Sequence, residues 1–417
     1  MKIAFITLGC KLNFAETATW ERGLREAGLE VVPWREKADI YLINTCTVTE
    51  TSNKKSRGEI RKVHRINPDA GIFVAGCYAQ MRPDEVRSIE GVSRVFMANE
   101  KQLVVPEILR FTGIRQEAPS GSLPDSGIFG AYSTSERTRA FLKVQDGCDN
   151  FCRYCTVPYA RGRSRSVRIC EAVKAAQAIA REGVREVVIT GVNTGDFGKN
   201  TGESFPDLLK ALNDVEGIER WRISSIEPNL ITEEIIDWIA SGTKFQPHFH
   251  IPLQQGTDVI LAAMGRKYTT SFFEDRINYI RSRMEGPGKP KVFFGIDVMA
   301  GLPGETEDLF ERELAFLERI RPAFIHVFPY SKRPGTPAAV MGGQVSEEVK
   351  RQRVERLEEL CSRLHAEFVE ANRGIHEKVI FESKEKDGTM SGYTGNYIRV
   401  TRPWDKALIG RLTDIIL

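Results

Sequence analysis

Over the first ~115 residues, short apolar runs rich in β-branched residues alternate with stretches of helical period. "KIAFITLG", "ADIYLINT" and "GIFVAG" read as strands, and "ETATWERGLREAG" has apolar positions at helical spacing. This alternation predicts a small open α/β sheet of parallel strands over 1–113. Residues 114–134, "IRQEAPSGSLPDSGIFGAYST", are rich in Gly, Pro and Ser and read as a linker. Six further strand runs follow, separated by helical patterns: "RAFLKVQ", "EVVITGV", "WRISSI", "FHIPLQ", "KVFFGIDV" and "FIHVFPY". Six βα units in series predict an open (β/α)6 barrel, a partial TIM barrel, over 135–366, with function carried at the strand C-termini. A long helical run closes it, with Gly374 as the expected C-cap. Over 367–417 the pattern becomes "KVIFES", "MSGYTGNYIRVTR" and "LIGRLTDIIL", short strands split by turn residues, which suggests a small β-barrel.

Composition refines this only slightly. The 417 residues are 41% hydrophobic and 28% charged, enough for several cores, and the formal net charge is only +3. Any nucleic-acid site must therefore be a local patch. No apolar run reaches the length of a membrane span, and the short run after Lys2 reads as a first strand rather than an export signal. The expected compartment is the cytoplasm, with no membrane partner.

The cysteines change the picture more. There are eight, and Cys10, Cys46 and Cys77 each follow directly on a predicted strand. All three are expected at the C-terminal edge of the parallel sheet, where such folds bind ligands. Cys148, Cys152 and Cys155 form C-x3-C-x2-C on the loop after the first barrel strand. Structural zinc usually takes four protein ligands, whereas a [4Fe–4S] cluster held by three leaves one iron open. A zinc loop stays open on the residues alone, as do scattered core cysteines for the first trio. Cys170 and Cys361 lie on helical patterns and read as small core residues.

"TLGCKLNFAET", "NTCTVTETSNKKSRGEIRK", "GCYAQ", "GCDNFCRYC" and "PYARGRSR" together resemble the radical S-adenosylmethionine (SAM) methylthiotransferases, over essentially the whole chain. The resemblance implies a [4Fe–4S] cluster on Cys148, Cys152 and Cys155 whose open iron binds SAM and whose electron releases a 5′-deoxyadenosyl radical. It implies a second [4Fe–4S] cluster on Cys10, Cys46 and Cys77 that carries or donates sulfur, and a C-terminal RNA-binding TRAM domain. An external reductant such as a flavodoxin or ferredoxin is implied, and the chain is expected to be a monomer. The source of replacement sulfur is not legible.

By strand-end position and by the resemblance, the candidate SAM contacts are Tyr154, Gly191, Asn193, Gly195, Glu227, Gln254, Asp297 and Arg165. Each could equally be a solvated or internally satisfied residue. An Arg that often follows the serine at 166 in the family pattern is Val167 here. His248 and His250 share a strand face; a metal pair is possible, and a packed or hydrogen-bonded pair is the expectation.

Two basic stretches flank the expected clusters. Between 51 and 65 there are six Lys/Arg against one Glu, with Lys54, Lys55, Arg57 and Arg61 the candidate RNA contacts. "RGRSRSVR" adds Arg161, and the C-terminal part adds Lys378, Arg399, Arg402 and Lys406, with Tyr393 and Tyr397 able to stack on bases or fill a barrel core. Among methylthiotransferases, "TLGCKLN" looks most like the type acting on N6-threonylcarbamoyladenosine in the tRNA anticodon loop. The ribosomal-protein type usually has Pro where this chain has Lys11. Isopentenyladenosine in tRNA and a ribosomal-protein aspartate are the alternative substrates. An iron–sulfur RNA-binding or electron-transfer protein is the non-enzyme alternative.

Overall fold

The computed structural model describes residues 1–114, 127–134, 138–385 and 387–417, without the side chains of 383 and 384. The linker expected at 114–134 lies largely outside the described residues. Its end does not: Ile128 is buried, Phe129 stacks on Trp20, and Ala131–Tyr132 forms a strand.

The N-terminal sheet has five parallel strands: β1 (Lys2–Thr7), β2 (Glu30–Val31), β3 (Ile40–Thr45), β4 (Gly71–Gly76) and β5 (Val92–Val95), in the order β2-β1-β3-β4-β5. The sequence pattern predicted the three central strands. It missed β2 and β5, because two residues in one case and "VSRV" in the other carry no run of apolar positions. Helices cover both faces. Trp20, Leu24 and Ile108 pack on one side, and Ile60, Val63 and Tyr78 on the other.

After β6 (Ala131–Tyr132), β7 (Arg139–Lys143) opens the second unit, and β8 (Gln145–Asp146) pairs antiparallel with β9 (Arg165–Ser166). The barrel continues with β10 (Glu186–Thr190), β11 (Arg220–Ile223), β12 (His248–His250), β13 (Phe293–Ala300) and β14 (Phe324–Pro329). Strands β7, β10, β11, β12, β13 and β14 lie side by side in chain order, all parallel, with bridges Trp221–Phe245 and Ser225–His250 joining β11 to β12. This is the connectivity of the expected (β/α)6 barrel. Ala140, Leu142, Trp221, Ile223, Phe249, Phe294 and Ile296 pack toward the helices. By the strand period of two, Arg139, Arg222, His248, His250 and Asp297 face the lumen.

The closing helix is Glu347–Glu370, capped at Ala371; Gly374 instead takes φ 78° in the turn that follows. The C-terminal unit is an antiparallel sheet of β15 (His376–Lys384), β16 (Thr389–Thr394), β17 (Arg399–Pro403) and β18 (Leu412–Ile416), in the order β17-β16-β15-β18. The run "MSGYTGNYIRVTR" supplies two of these strands, broken where Tyr397 adopts φ 65°.

Candidate active site

The first cysteine trio is assembled by sheet topology. Cys10 precedes the helix Lys11–Glu26 after β1, Cys46 follows β3, and Cys77 starts the helix Cys77–Met81 after β4. Their close approach depends on two glycines. At Gly9 (φ 102°) a Cβ would lie 2.9 Å from Cys46 Cβ, and at Gly76 (φ 98°) 2.3 Å from the Thr45 carbonyl. Asn13 Nδ2 donates to the carbonyls of Leu8 (2.7 Å) and Thr45 (3.0 Å), tying the Cys10 and Cys46 loops together. The three thiols lie within one another's electrostatic range. Burial pushes the Cys46 and Cys77 thiols up, and Arg161 is the strongest influence pulling Cys77 back.

The second trio is assembled locally. β8 and β9 close the base of its loop, and Gly147 (φ 74°) sits where a Cβ would be 2.0 Å from the Arg163 carbonyl. The backbone N–H groups of Asn150 and Val157 donate to Sγ of Cys148 and Cys155, each at 3.4 Å. Burial raises the Cys148 thiol to about 11 and the Cys155 thiol to about 12. As free thiols these groups are protonated at neutral pH, and a bound metal must displace those protons. Sulfur ligands that receive N–H donors and face cations suit the negative charge of an iron–sulfur cluster.

Arg266, which the sequence reading did not single out, organises this site. Its Nη1 reaches Cys152 Sγ (3.2 Å) and Tyr154 Oη (3.4 Å), and its Nη2 pairs with Glu227 (2.6 Å). Tyr154 and Glu227, expected as SAM contacts, are thereby brought to the second trio, both held by one guanidinium. Burial raises the Glu227 carboxyl, against the pull of Arg266.

The loop after β10 curls against Gln145, whose Oε1 accepts from the N–H of Val192 (2.9 Å) and Asn193 (3.0 Å). Gly191 and Gly195 make close approaches to Gln145 and Leu230, so both are needed for backbone packing. Asn193 Nδ2, Asp196 Oδ2 and Ser224 Oγ are buried at these strand ends with no hydrogen-bond partner among the described residues. Such uncommitted polar atoms beside the second trio fit a polar cofactor. Gln254 bridges to β13 through its backbone at φ 74°, a strained conformation for a residue other than glycine. Asp297 Oδ1 accepts from His250 Nε2 at 2.8 Å, and its ligand atom, with those of His250 and His326, lies within a 4.8 Å group. His248 is the packed member of the histidine pair, stacked on Phe293 at 5.1 Å.

Between the trios lies a buried ionic cluster that the sequence did not reveal. Glu16 pairs with Lys143 (2.6 Å), Lys101 (2.7 Å) and Arg161 (3.3 Å), and Asp146 with Lys143 (2.7 Å) and Arg161 (2.9 Å). Burial opposes ionisation of both carboxyls, but the surrounding cations outweigh it and hold both well below the usual carboxylate range. Glu16 and Lys101 come from the N-terminal sheet unit, the others from the barrel, so the cluster fastens the two together. Arg161 also donates to Asn13 Oδ1 and lies near Cys10 and Cys77.

Several expected contacts are thereby corrected. Arg161 is buried and fully committed, so it cannot grip RNA. Arg165 Nη1 is spent on the carbonyls of Arg161 (2.7 Å) and Arg163 (3.2 Å), closing the cysteine loop instead of offering a free guanidinium. Arg57 is tied to Glu85 (2.9 Å), Glu50 (3.3 Å) and Tyr78 Oη (3.3 Å); Lys54, Lys55 and Arg61 on the same helix stay exposed. Tyr393 and Tyr397 stack on each other at 4.6 Å beneath Arg139, and Arg222 donates to the carbonyls of Thr394 and Gly395 (2.7 Å each). Both tyrosines therefore dock the β unit on the barrel. Arg399 and Arg402 are exposed, Arg399 paired with Glu385 at 2.7 Å. Cys361 is buried as expected, whereas Cys170 is exposed.

Residues 2–98 match the family described as Uncharacterized protein family UPF0004, and residues 142–317 match the Radical SAM superfamily. The chain is 40% identical to the threonylcarbamoyladenosine tRNA methylthiotransferase MtaB of Bacillus subtilis, over 99% of this chain and 93% of that protein. It is 35% identical to the protein of that name from Aquifex aeolicus, over the full length of both. It is also 33% identical to the tRNA-2-methylthio-N(6)-dimethylallyladenosine synthase of Carboxydothermus hydrogenoformans, over 98% and 95%. Among solved structures, the radical SAM methyltransferase TsrM of Kitasatospora setae shares the fold, with TM-score 0.58 and 15% identity over 81% of this chain and 77% of that one. With two trios of cysteines at one junction and full-length relatives of this kind, the chain belongs to the radical SAM tRNA methylthiotransferase family, whose members use a [4Fe–4S] cluster and SAM.

Proposed function

We propose that the protein methylthiolates C2 of N6-threonylcarbamoyladenosine in the anticodon loop of tRNA. The observation that carries this reading is that Arg161 links the two cysteine trios: it lies near Cys10 and Cys77, and its helix, Val157–Arg161, follows directly on the loop of Cys148, Cys152 and Cys155 and packs on the helix that Cys77 starts. An aromatic C–H at C2 offers no useful acidity to a side-chain base, so a radical route suits it.

In this reading Cys148, Cys152 and Cys155 hold the cluster that binds SAM, and Cys10, Cys46 and Cys77 hold a second [4Fe–4S] cluster. When bound, the first supplies the electron that cleaves SAM and the second presents the sulfur. The chain's own residues orient and shield. Arg266 fixes Cys152, Tyr154 and Glu227 in one arrangement. Asn193, Asp196 and Ser224 offer uncommitted polar atoms to SAM, and Gly191, Gln254 and Asp297, on or after neighbouring barrel strands, are the further candidates. Glu16 and Asp146 hold Lys101, Lys143 and Arg161 in place, leaving a cationic environment beside the first trio.

The C-terminal sheet is read as a TRAM domain. Lys54, Lys55 and Arg61, with Arg402, are exposed cations available to phosphates, and Arg399 is exposed but paired with Glu385. The target base must stand out of its loop, which costs least where it is unpaired. A flavodoxin- or ferredoxin-type reductant is required, and a cytoplasmic monomer is the proposed working form. Among the described residues, no helix is long and apolar enough to cross a membrane. Nucleoside mass spectrometry of tRNA from a deletion strain tests the substrate. Loss of the 2-methylthio form of threonylcarbamoyladenosine is expected, and an unchanged nucleoside profile would reject it.

A further inference from the structure

We propose that Lys11 selects the substrate by pairing with the carboxylate of the threonylcarbamoyl group, an inference that rests on the substrate reading above. Lys11 is the first residue of its helix, one position after Cys10. It is solvent-exposed, and among the described residues its ammonium makes no direct ion pair or hydrogen bond. Yet it stands inside the molecule. It lies within electrostatic range of Asp297, Arg139 and Arg222, and of His248 and His326 on β12 and β14, so it faces the barrel lumen.

The fixed anions there are already matched. Glu186 pairs with Arg222 (2.7 Å) and Arg220 (3.5 Å), and Asp297 bonds His250 (2.8 Å). Among the described residues, Lys11 is a cation there without a direct anionic partner. Ring chemistry places it where the substrate's N6 group must go. C2 and C6 of adenine are the two neighbours of N1, so a base whose C2 meets the Cys10–Cys46–Cys77 centre brings its N6 substituent close to the residue beside Cys10. A threonylcarbamoyl group supplies an anion at that place. A dimethylallyl group would strip water from the ammonium and give no partner, which is how an unpaired charge rejects an apolar analogue.

The test uses reconstituted holoenzyme and three anticodon stem-loop RNAs, carrying threonylcarbamoyladenosine, its carboxyl methyl ester, or dimethylallyladenosine. Binding is read by fluorescence anisotropy and methylthiolation by mass spectrometry. The wild type is expected to favour the acid over the ester by about tenfold to a hundredfold. Lys11→Met is expected to erase that preference by weakening the acid RNA alone, while Lys11→Arg keeps it. A wild type that binds acid and ester equally, a Lys11→Met variant that retains the preference, or one that weakens both RNAs alike overturns the assignment. A wild type that modifies the dimethylallyl RNA and not the acid RNA overturns the substrate reading itself, a separate failure.

Discussion

The two cysteine trios reach the same junction by opposite routes. Cys148, Cys152 and Cys155 sit on one loop, closed at its base by β8 and β9 and held by N–H donors from its own backbone. Cys10, Cys46 and Cys77 come from three strand ends, brought together by the β1-β3-β4 order and by Gly9 and Gly76. A local trio needs only its loop. A dispersed trio needs the sheet to be folded and the sheet unit to be docked. Glu16, Lys101, Asn13 and Arg161 supply that docking, so the geometry between the trios depends on a buried ionic cluster rather than on either binding loop.

The largest expected effects separate the trios outright. Cys152→Ala should reduce SAM cleavage, assayed with dithionite as 5′-deoxyadenosine, to background. Cys46→Ala should leave that cleavage largely intact while abolishing methylthiolation of RNA. Methylthiolation that survives Cys46→Ala would remove the role given to the dispersed trio.

Next comes the fastening. Arg161→Ala leaves Asp146 and Glu16 short of a buried partner, a defect expected to cost about 3–5 kcal/mol. Thermal unfolding should fall by several degrees, and iron should be lost first from the dispersed trio. Equal loss of iron from both trios would contradict the contrast. For the local trio, Arg266→Lys keeps the charge but loses the fork that joins Cys152, Tyr154 and Glu227. SAM cleavage should fall about 10- to 100-fold, the usual cost of disturbing a partner of a metal ligand. Unchanged cleavage would strip Arg266 of its organising role.

The smallest effect is a pH dependence in the base of the barrel. Burial, then Arg222, Lys11 and His250, hold the His248 imidazole well below its ordinary 6.5. Above that value both folded and unfolded chains carry it neutral. Below it the unfolded chain takes up a proton that the folded chain refuses, so stability falls as pH drops, by up to about 1.4 kcal/mol per unit. His248→Phe should shrink the difference in melting temperature between pH 7.5 and 5.5, and an undiminished difference would contradict this.

The six candidate ligand cysteines and all six barrel strands were legible in the sequence because each is a local signal, a spacing or a run. The ionic cluster was not, because its pairings span the chain: Glu16 meets Lys143 across 127 residues. Read singly, Glu16, Lys101 and Asp146 look like solvated side chains. A fainter signal was present. Lys143 interrupts the apolar run "RAFLKVQ", and Arg220 and Arg222 alternate in "RWRISSI", a period that puts charge on the lumen face of a parallel strand. Arg161 was misread, and Tyr397 left open between bases and core, for the same reason. Arginine and tyrosine serve RNA and interior docking equally well, and only burial distinguishes the two.

The account is tested most directly by iron and sulfide content after anaerobic reconstitution, comparing the wild type with the variant in which Cys10, Cys46 and Cys77 are all Ala. About eight irons per chain are expected in the wild type, as two [4Fe–4S] units, and about four in the variant. About four in both, or zinc in place of iron, would contradict it.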